Sequence, residues 1–498
     1  GLFYVGSVVP NAPGAARWRS RGARILETSL DWQVRNDGTY FEQATQYHRY
    51  TTEIYLHYLR LAESTGHPLD PSVRTRLCKL FDVLRTIADG RGRIPLIGDD
   101  DGGLLLPLDH RPPDDVRGLL LAGAVALGRP DLVPVDAPPM LAAALCGPEA
   151  TERILKASSV APEWTDRTFP DGGLVVLRDG WKRSDAVAVL DAGPHGALNC
   201  GHAHADALAL TISLGEHPLF IDRGTFTYCG ERRNEFRSSA SHNTVELDGL
   251  SSAVPGTPFA WKSIPPTPTH ALADGAGVRW LCATARGHAD SGRPSVHFRV
   301  VLHVSDGPWV VADRVARAGG YRAAVGRWYL HPDCQPVEIE DRAYEIRAAG
   351  APNWVARVNV LASTACSIEN RDVSLRLGHA QPSTILAVSA DQGGQIVTVV
   401  TPGPASAMMH ATVGDRRVWT WHDDLNAYEI AIPAGAADEW DAFGLRSDAW
   451  LAWRLLPNRA GAGPRAAERV VLAGARTATS LEGERFEAHG SPDLPGVV

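Results

Sequence analysis

The 498-residue sequence has no CxxC, no HExxH and no uninterrupted apolar run near the roughly 18–20 residues that a helical membrane span needs. The missing CxxC removes zinc ribbons and thioredoxin-like redox motifs. The missing HExxH removes the commonest zinc-hydrolase signature. Seven cysteines at 78, 146, 200, 229, 282, 334 and 366 are too scattered and too few to staple a chain of this size. An excess of positive charge is also missing: 49 Lys plus Arg stand against 57 Asp plus Glu, for a net charge of −8. Nucleic-acid binding by bulk electrostatics is therefore not expected, and a polyanionic partner would need a local basic groove. The opening GLFYVGSVVP has no basic n-region and is not a signal peptide; starting at Gly1, it reads as part of a helix in a fragment or processed product.

What is present is an ordinary globular composition, 44% apolar and 21% charged, with length for two or three domains. Apolar positions at Trp18, Ile25, Leu26, Leu30 and Val34 keep a helical period over 15–35, and Asn36-Asp37-Gly38 ends it. Helices are predicted from about Tyr40 to Ala62, from Pro71 to Ala88, from Asp114 to Leu127 and around Glu149–Ser158. Asp99–Gly103 reads as an acidic, turn-rich loop. After Trp164 short β-branched runs alternate with Gly, Asp and Pro turns, the pattern of an antiparallel sandwich. The 14 tryptophans fit either sandwich cores or sugar-stacking surfaces. The expected organisation is a helical domain over 1–163, a β-sandwich domain over 164–458 and a β or irregular, partly disordered tail over 459–498.

The segment richest in chemistry is GHAHADALAL, 201–210. Read as a strand, it puts His202, His204 and Asp206 on one face. Asp222 follows in PLFIDRGTFTY and His242 in RSSASHNTVELDG. His204, Asp222 and His242 together make a His₂-carboxylate set suited to zinc, with a fourth position for water or a substrate oxygen. The histidines at 110, 270, 288, 303, 331, 379 and 410 carry no such pattern and are read as ordinary core or surface groups.

HAHAD, FIDRGTFTY and RNEFRSSASHNTVELDG resemble the C-terminal half of heparinase II/III-like polysaccharide lyases. QVRNDGTYFEQATQYHRY, 33–50, resembles the helical segment of that family, DG-x-x-x-E-x-x-x-x-Y-H. The two signatures stand in the family's order, and the resemblance extends over roughly residues 1–320. It implies an α+β multidomain protein, an incomplete α/α toroid followed by an antiparallel β-sandwich. It implies β-elimination on a uronic-acid-containing polysaccharide in a cleft between the two. By similarity Tyr47 transfers a proton, His202 is the active-site histidine, and Tyr228 falls where some alginate-cleaving members have a second catalytic tyrosine. His204, Asp222 and His242 would hold a zinc ion of structural role. Glu42, His48, Arg233 and Arg237 are assigned to substrate binding; with Arg232 the two arginines would form the local basic patch that lowers a tyrosine pKa or grips carboxylates.

The chemistry asks for such residues. The C5 proton of a uronate becomes removable when its carboxylate is neutralised, a Tyr or His acts as base, and a Tyr protonates the leaving oxygen. An Asn-His pair of the family, expected upstream of Asp31, has no counterpart here, so weak or absent turnover is expected of residues 1–498 alone. The alternatives are a catalytically impaired glycan-binding or exopolysaccharide-biosynthesis-associated protein on the same fold, and a zinc hydrolase on a β-scaffold. The partner expected is an acidic polysaccharide, with no nucleic acid, no membrane span and an open oligomeric state that includes a homodimer. The resemblance points to periplasm or cell envelope.

Overall fold

A computed structural model describes residues 1–457 except 109–110, 158–159, 276–277, 289–291, 404–406, 424–425, 434–439, 442, 444 and 448. Of 458–498 it describes 469–475, 478–480, 485–486 and 496–497, so most of the predicted tail, like His110, lies outside the described residues.

Helices come first: α1 (Leu2–Val8), α2 (Ala15–Gln33), α3 (Thr45–Thr65), α4 (Pro71–Ile87), α5 (Arg117–Leu127), α6 (Met140–Cys146) and α7 (Pro148–Lys156). Local chemistry sets their ends. Asp70 caps α4 by accepting from the Ser72 amide at 2.8 Å, and Pro71 fills the first turn, where no amide bond is lost. Gly66, at φ 64°, closes α3 in the left-handed region. Two predicted starts move. Helix α3 begins at Thr45 rather than Tyr40, because Tyr40 bridges back to Val34 around the Asp37-Gly38 turn. Helix α5 begins at Arg117 rather than Asp114, because Asp114 pairs with Arg93 at 2.7 Å and its carbonyl takes the Ile94 amide.

The strands follow. β1 (Arg167–Phe169), β2 (Leu174–Arg178), β3 (Val187–Asp191), β4 (Leu210–Leu214) and β5 (His217–Phe220) form an antiparallel sheet in sequence order. Then come α8 (Glu231–Phe236), β6 (Val245–Leu247), the hairpin β7 (Val254–Thr257) and β8 (Ala260–Ser263), β9 (Thr269–Gly275), β10 (Val278–Gly287), β11 (Ser295–His303), β12 (Trp309–Arg317), β13 (Ala324–Tyr329), β14 (Cys334–Glu340), β15 (Ala343–Ala348), β16 (Ala351–Ala362), β17 (Ala365–Arg376), β18 (His379–Ala390) and β19 (Gln395–Pro402). Eight of them make a sheet in the order β14-β15-β16-β19-β12-β11-β10-β9, and four make β17-β18-β13-β6. A further sheet contains 409–413, 416–422, 426–433, 451–457, 469–475 and 496–497.

Strand periodicity explains the layering. In β2, Val175 and Leu177 point into the β core, while Leu174 and Val176 point into the helical core. In β3, Ala188 and Leu190 face one way, and Val187 and Val189 the other. The first sheet is thus buried on both faces, between helices and sandwich, and its strands read as continuous apolar runs. The eight-stranded sheet is also two-sided: Trp309 and Val311 of β12 face the first core, and Val310 and Ala312 face a third core with Trp419, Trp421 and Trp453. Each fully buried Leu or Val there contributes about 1.5–3 kcal/mol. Many of the tryptophans are core residues; Trp309, Trp328, Trp440 and Trp453 are fully buried. No helix among the described residues is long and apolar enough to cross a membrane.

Candidate active site and metal cluster

Besides the packing of the first sheet on the helices, two short turns join the helical part to the β part near the site. Asp37 accepts from the amides of Asp171 and Gly172 at 2.7 and 2.9 Å and from the amide and hydroxyl of Thr39 in its own turn. Gly38 sits at φ 94°, with Lys79 carbonyl oxygen 2.6 Å from where a Cβ would stand, so only glycine fits. The second joint is 98–103. The Asp99 amide donates to the His202 carbonyl at 3.0 Å, and Gly98, at φ 69°, lets the backbones approach.

HAHAD is not a strand. Residues 201–209 form an irregular segment before β4, with Cys200 and Leu208 in the left-handed region. Its backbone bonds go to other loops: the Ala205 amide to the Arg237 carbonyl at 2.9 Å, and the Ala205 carbonyl to Ser239 Oγ at 2.7 Å. A shared face is therefore replaced by divergence. His202 turns toward the helical part, its ring 4.1 Å from Tyr47, whereas His204 is fully buried.

Asp99 ties these two histidines together. Its Oδ2 lies 3.2 Å from His202 Nδ1 and its Oδ1 2.9 Å from His204 Nε2; Arg233 pairs with both oxygens, Nη2 at 2.7 Å. Burial alone would raise the Asp99 pKa, but the hydrogen bonds from both histidines and from Arg233 outweigh it and hold the carboxyl well below the usual carboxylate range.

Tyr47 comes from the first turn of α3 and Tyr228 from the loop after β5. Their hydroxyl oxygens are 3.1 Å apart, and Tyr47 donates to Asp101 Oδ2 at 3.1 Å. Burial, with Asp101 and Asp99 nearby, raises both phenol pKa values, so both hydroxyls keep their protons at neutral pH.

Behind His202, ligand atoms of His204, Asp222 and His242 all lie within 4.8 Å of one another, and all three residues are buried. His242 Nδ1 is 2.7 Å from Asp222 Oδ2, and Asp222 Oδ1 takes the Gly224 amide. His204 Nδ1 and His242 Nε2 are buried without a hydrogen-bond partner. Asp191 and Asp206 lie close by. Burial and the charge of Asp222 raise the Asp191 pKa to about 6, and burial with Asp191 and Asp222 raises that of Asp206 well above normal. An unpartnered nitrogen on each imidazole, inside a knot of buried carboxylates, is a donor set that fits a divalent cation.

The residues read as substrate-binding divide. Glu42 lies near His202, half-buried, its pKa raised by burial. His48 is buried in the helical core, 3.0 Å from the Leu80 carbonyl and 3.2 Å from the Tyr40 amide, with its pKa pushed down to about 4 by burial. Arg233 and Arg237 lie beneath the site, 1% and 0% exposed. Arg237 is held by Asn234 Oδ1 and the Thr257 and Pro258 carbonyls. Arg232 pairs with Asp372 at 2.9 Å. The expected basic patch does not form, because the protein's own acceptors engage all three arginines. Sequence reasoning passed over Asp99, Asp101 and the hairpin residues Phe259 and Trp261. The run GDDDGG, 98–103, was the available signal for the first two; nothing local marks the hairpin.

A sequence profile described as "Heparinase II/III-like, C-terminal" matches residues 161–415, and one described as "Heparinase II/III N-terminus" matches 1–71. The chain belongs to the heparinase II/III family. Its C-terminal profile runs past the region of roughly 1–320 where the resemblance is legible by eye. Within the family, a heparin-sulfate lyase of Bacteroides stercoris is 23% identical over 258 residues, covering 50% of this chain and 34% of that protein. A heparin-sulfate lyase of Pedobacter heparinus is 22% identical over 261 residues, 51% and 35% of the two chains. The matched stretch thus spans about a third of the length of these relatives. Among solved structures, a mutant of the heparan sulfate lyase HepC from Pedobacter heparinus superposes with a TM-score of 0.64 at 18% identity, covering 87% of this chain and 65% of that one. A heparinase III, the BT4657 gene product, does so with 0.63 at 17%, covering 87% and 63%. The family fold, helices followed by antiparallel sheets, is the fold seen here.

Proposed function

We propose that this protein is a polysaccharide lyase that cleaves a uronic-acid-containing polymer by β-elimination. The observation that carries this reading is the meeting of Tyr47, from the helices, with His202 and Tyr228, from the β part: hydroxyls 3.1 Å apart and rings 4.1 Å apart. The Asp99 carboxylate accepts from His202 Nδ1–H, which leaves Nε2 as the free acceptor. Nε2 takes the C5 proton; the C5–H electrons form the C4=C5 double bond and the C4–O bond breaks. Tyr47, protonated, hands its proton to the leaving oxygen. The Tyr228 hydroxyl hydrogen-bonds Tyr47 and supports that transfer. Arg232, Arg233 and Arg237 are engaged within the protein, while Glu42 lies near His202 and Asp101 accepts from Tyr47. This favours a sparsely charged uronate polymer over a densely sulfated one.

His204, Asp222 and His242 would hold the zinc ion. Bound there, it would offset the buried carboxylate charge and fix the loops bearing His202 and Tyr228.

The test is the ultraviolet absorbance of the unsaturated product on heparan sulfate, alginate, hyaluronan and bacterial exopolysaccharides. At least one substrate should give a signal, even if turnover is weak, and Tyr47→Phe should lower it by about 10²-fold or more with an unchanged melting temperature. No product from any polymer, or full activity in Tyr47→Phe, would overturn the assignment.

A further inference from the structure

We propose that Phe259, at the tip of the β7–β8 hairpin, is the stacking platform for a pyranose ring next to the cleaved bond. This inference rests on the eliminative reading above. The hairpin pairs only with itself among the described residues. An isolated two-stranded ribbon is marginal in water, so something must hold it. Two buried arginines do: Arg237 donates to the Thr257 and Pro258 carbonyls at 2.7 and 3.1 Å, and Arg233 to Pro258 at 3.0 Å. Trp261 adds a bond from Nε1 to the Cys200 carbonyl at 3.0 Å, an edge contact with His195 at 4.4 Å and a face contact with Arg237 at 4.6 Å.

What this anchoring presents is an apolar ring in the open. Phe259 is 42% exposed. Its ring lies nearly parallel to Tyr228, at 5.5 Å and 18°, and edge-on to His202 at 6.4 Å. Its carbonyl oxygen would stand 3.3 Å from a Cβ on Gly201, the residue before His202, so the hairpin tip rests against the segment that carries the imidazole. One exposed ring is ordinary by itself; this one stands beside the proton-transfer groups, with Tyr228 stacked against it and the Arg233 guanidinium 5.8 Å from its centre. The electron-rich face suits the polarised C–H groups on the apolar side of a pyranose. Such a contact reads ring shape and not charge, which matches a site whose neighbouring arginines are already engaged.

The experiment compares Phe259→Ala, Phe259→Leu and Phe259→Trp with the wild type. Tetrasaccharides fractionated from heparan sulfate and alginate serve as ligands. Turnover gives kcat and KM; calorimetry on the unreactive Tyr47→Phe background gives Kd. Limited proteolysis across 254–263, with the melting temperature, reports whether the hairpin keeps its place. Phe259→Ala and Phe259→Leu should raise KM and Kd about tenfold, ~1.4 kcal/mol, with kcat little changed and the protease resistance of the hairpin unmoved. Phe259→Trp should restore both. Unchanged KM and Kd in Phe259→Ala, or wild-type affinity in Phe259→Leu, would overturn the stacking role while leaving the lyase reading intact. Binding that weakens in Phe259→Ala, from a wild type that releases no unsaturated product, would overturn the lyase reading and support the platform. A wild type that neither binds nor cleaves would sink both.

Discussion

At the scale of single residues, the site depends on one carboxylate, Asp99, within the acidic run 98–103. Asp99 is fully buried and meets His202, His204 and Arg233 at once. Removing its charge strands the Arg233 guanidinium in the interior, which typically costs about 3–5 kcal/mol. Asp99→Asn is therefore expected to lower stability by about that amount in urea unfolding, and to lower kcat more than it raises KM, because the His202 ring loses its orientation. A drop in stability with wild-type kcat would show that Asp99 is structural only. The candidate metal set makes a second residue-scale prediction. Chelation should lower the melting temperature, and added Zn²⁺ should restore it, by about 4 kcal/mol when the free ion stands at about 1,000 times its Kd. His204→Ala and His242→Ala should bind no metal and show no response; metal content by atomic absorption checks this.

At the scale of elements, loops bearing the ligands are held by strands. Arg299 on β11 donates to the Leu208 and Asn243 carbonyls at 2.7 and 2.6 Å, joining the HAHAD segment to the His242 segment. Asp313 on β12 holds Arg299 at 2.7 Å and accepts from His297 at 2.7 Å. Burial alone would raise the Asp313 pKa; Arg299 and His297 outweigh it and keep it at about 2. The folded pKa lies below the unfolded value of about 4. This stabilisation is thus present above pH ~4 and is lost as pH falls toward about 2. Asp313→Asn is expected to remove that acid-side slope and to cost about 3–5 kcal/mol at neutral pH. Urea unfolding between pH 2 and 7 measures both; an unchanged slope would show that the pair does not titrate as described.

At this scale the sequence was readable where periodicity ruled. Helices α2 and α4 lie close to their predicted limits, and antiparallel strands follow Trp164 as the alternating pattern predicts. It misled where side chains and turns override the period. HAHAD alternates like a strand, yet the Ala205 amide and carbonyl are taken by Arg237 and Ser239, 32 and 34 residues away. Arg233 and Arg237 look like surface charge in a polar helix, but their acceptors, Asp99 and the 257–258 carbonyls, are remote in sequence.

At the scale of the whole molecule, function depends on how the helices sit against the sheets. Tyr47 and Tyr228 are 181 positions apart and share a hydrogen bond. The Asp37 turn is one of the joints that keep them there. Asp37→Ala should cost about 2–3 kcal/mol, from several lost charge-assisted bonds. It should also lower kcat although Asp37 touches no reacting group. Unaltered kcat in a stably folded variant would show that the joint does not set the cleft.

The sequence by itself determined the family, the helical-then-β order and the candidate metal set His204, Asp222 and His242, because motif spacing and apolar period are properties of the chain alone. Only the tertiary structure decided which charges are spent internally, that Asp99 links both histidines, and that Phe259 stands open beside Tyr228. Pairing and exposure are set by groups scores of residues apart, and no local pattern records them.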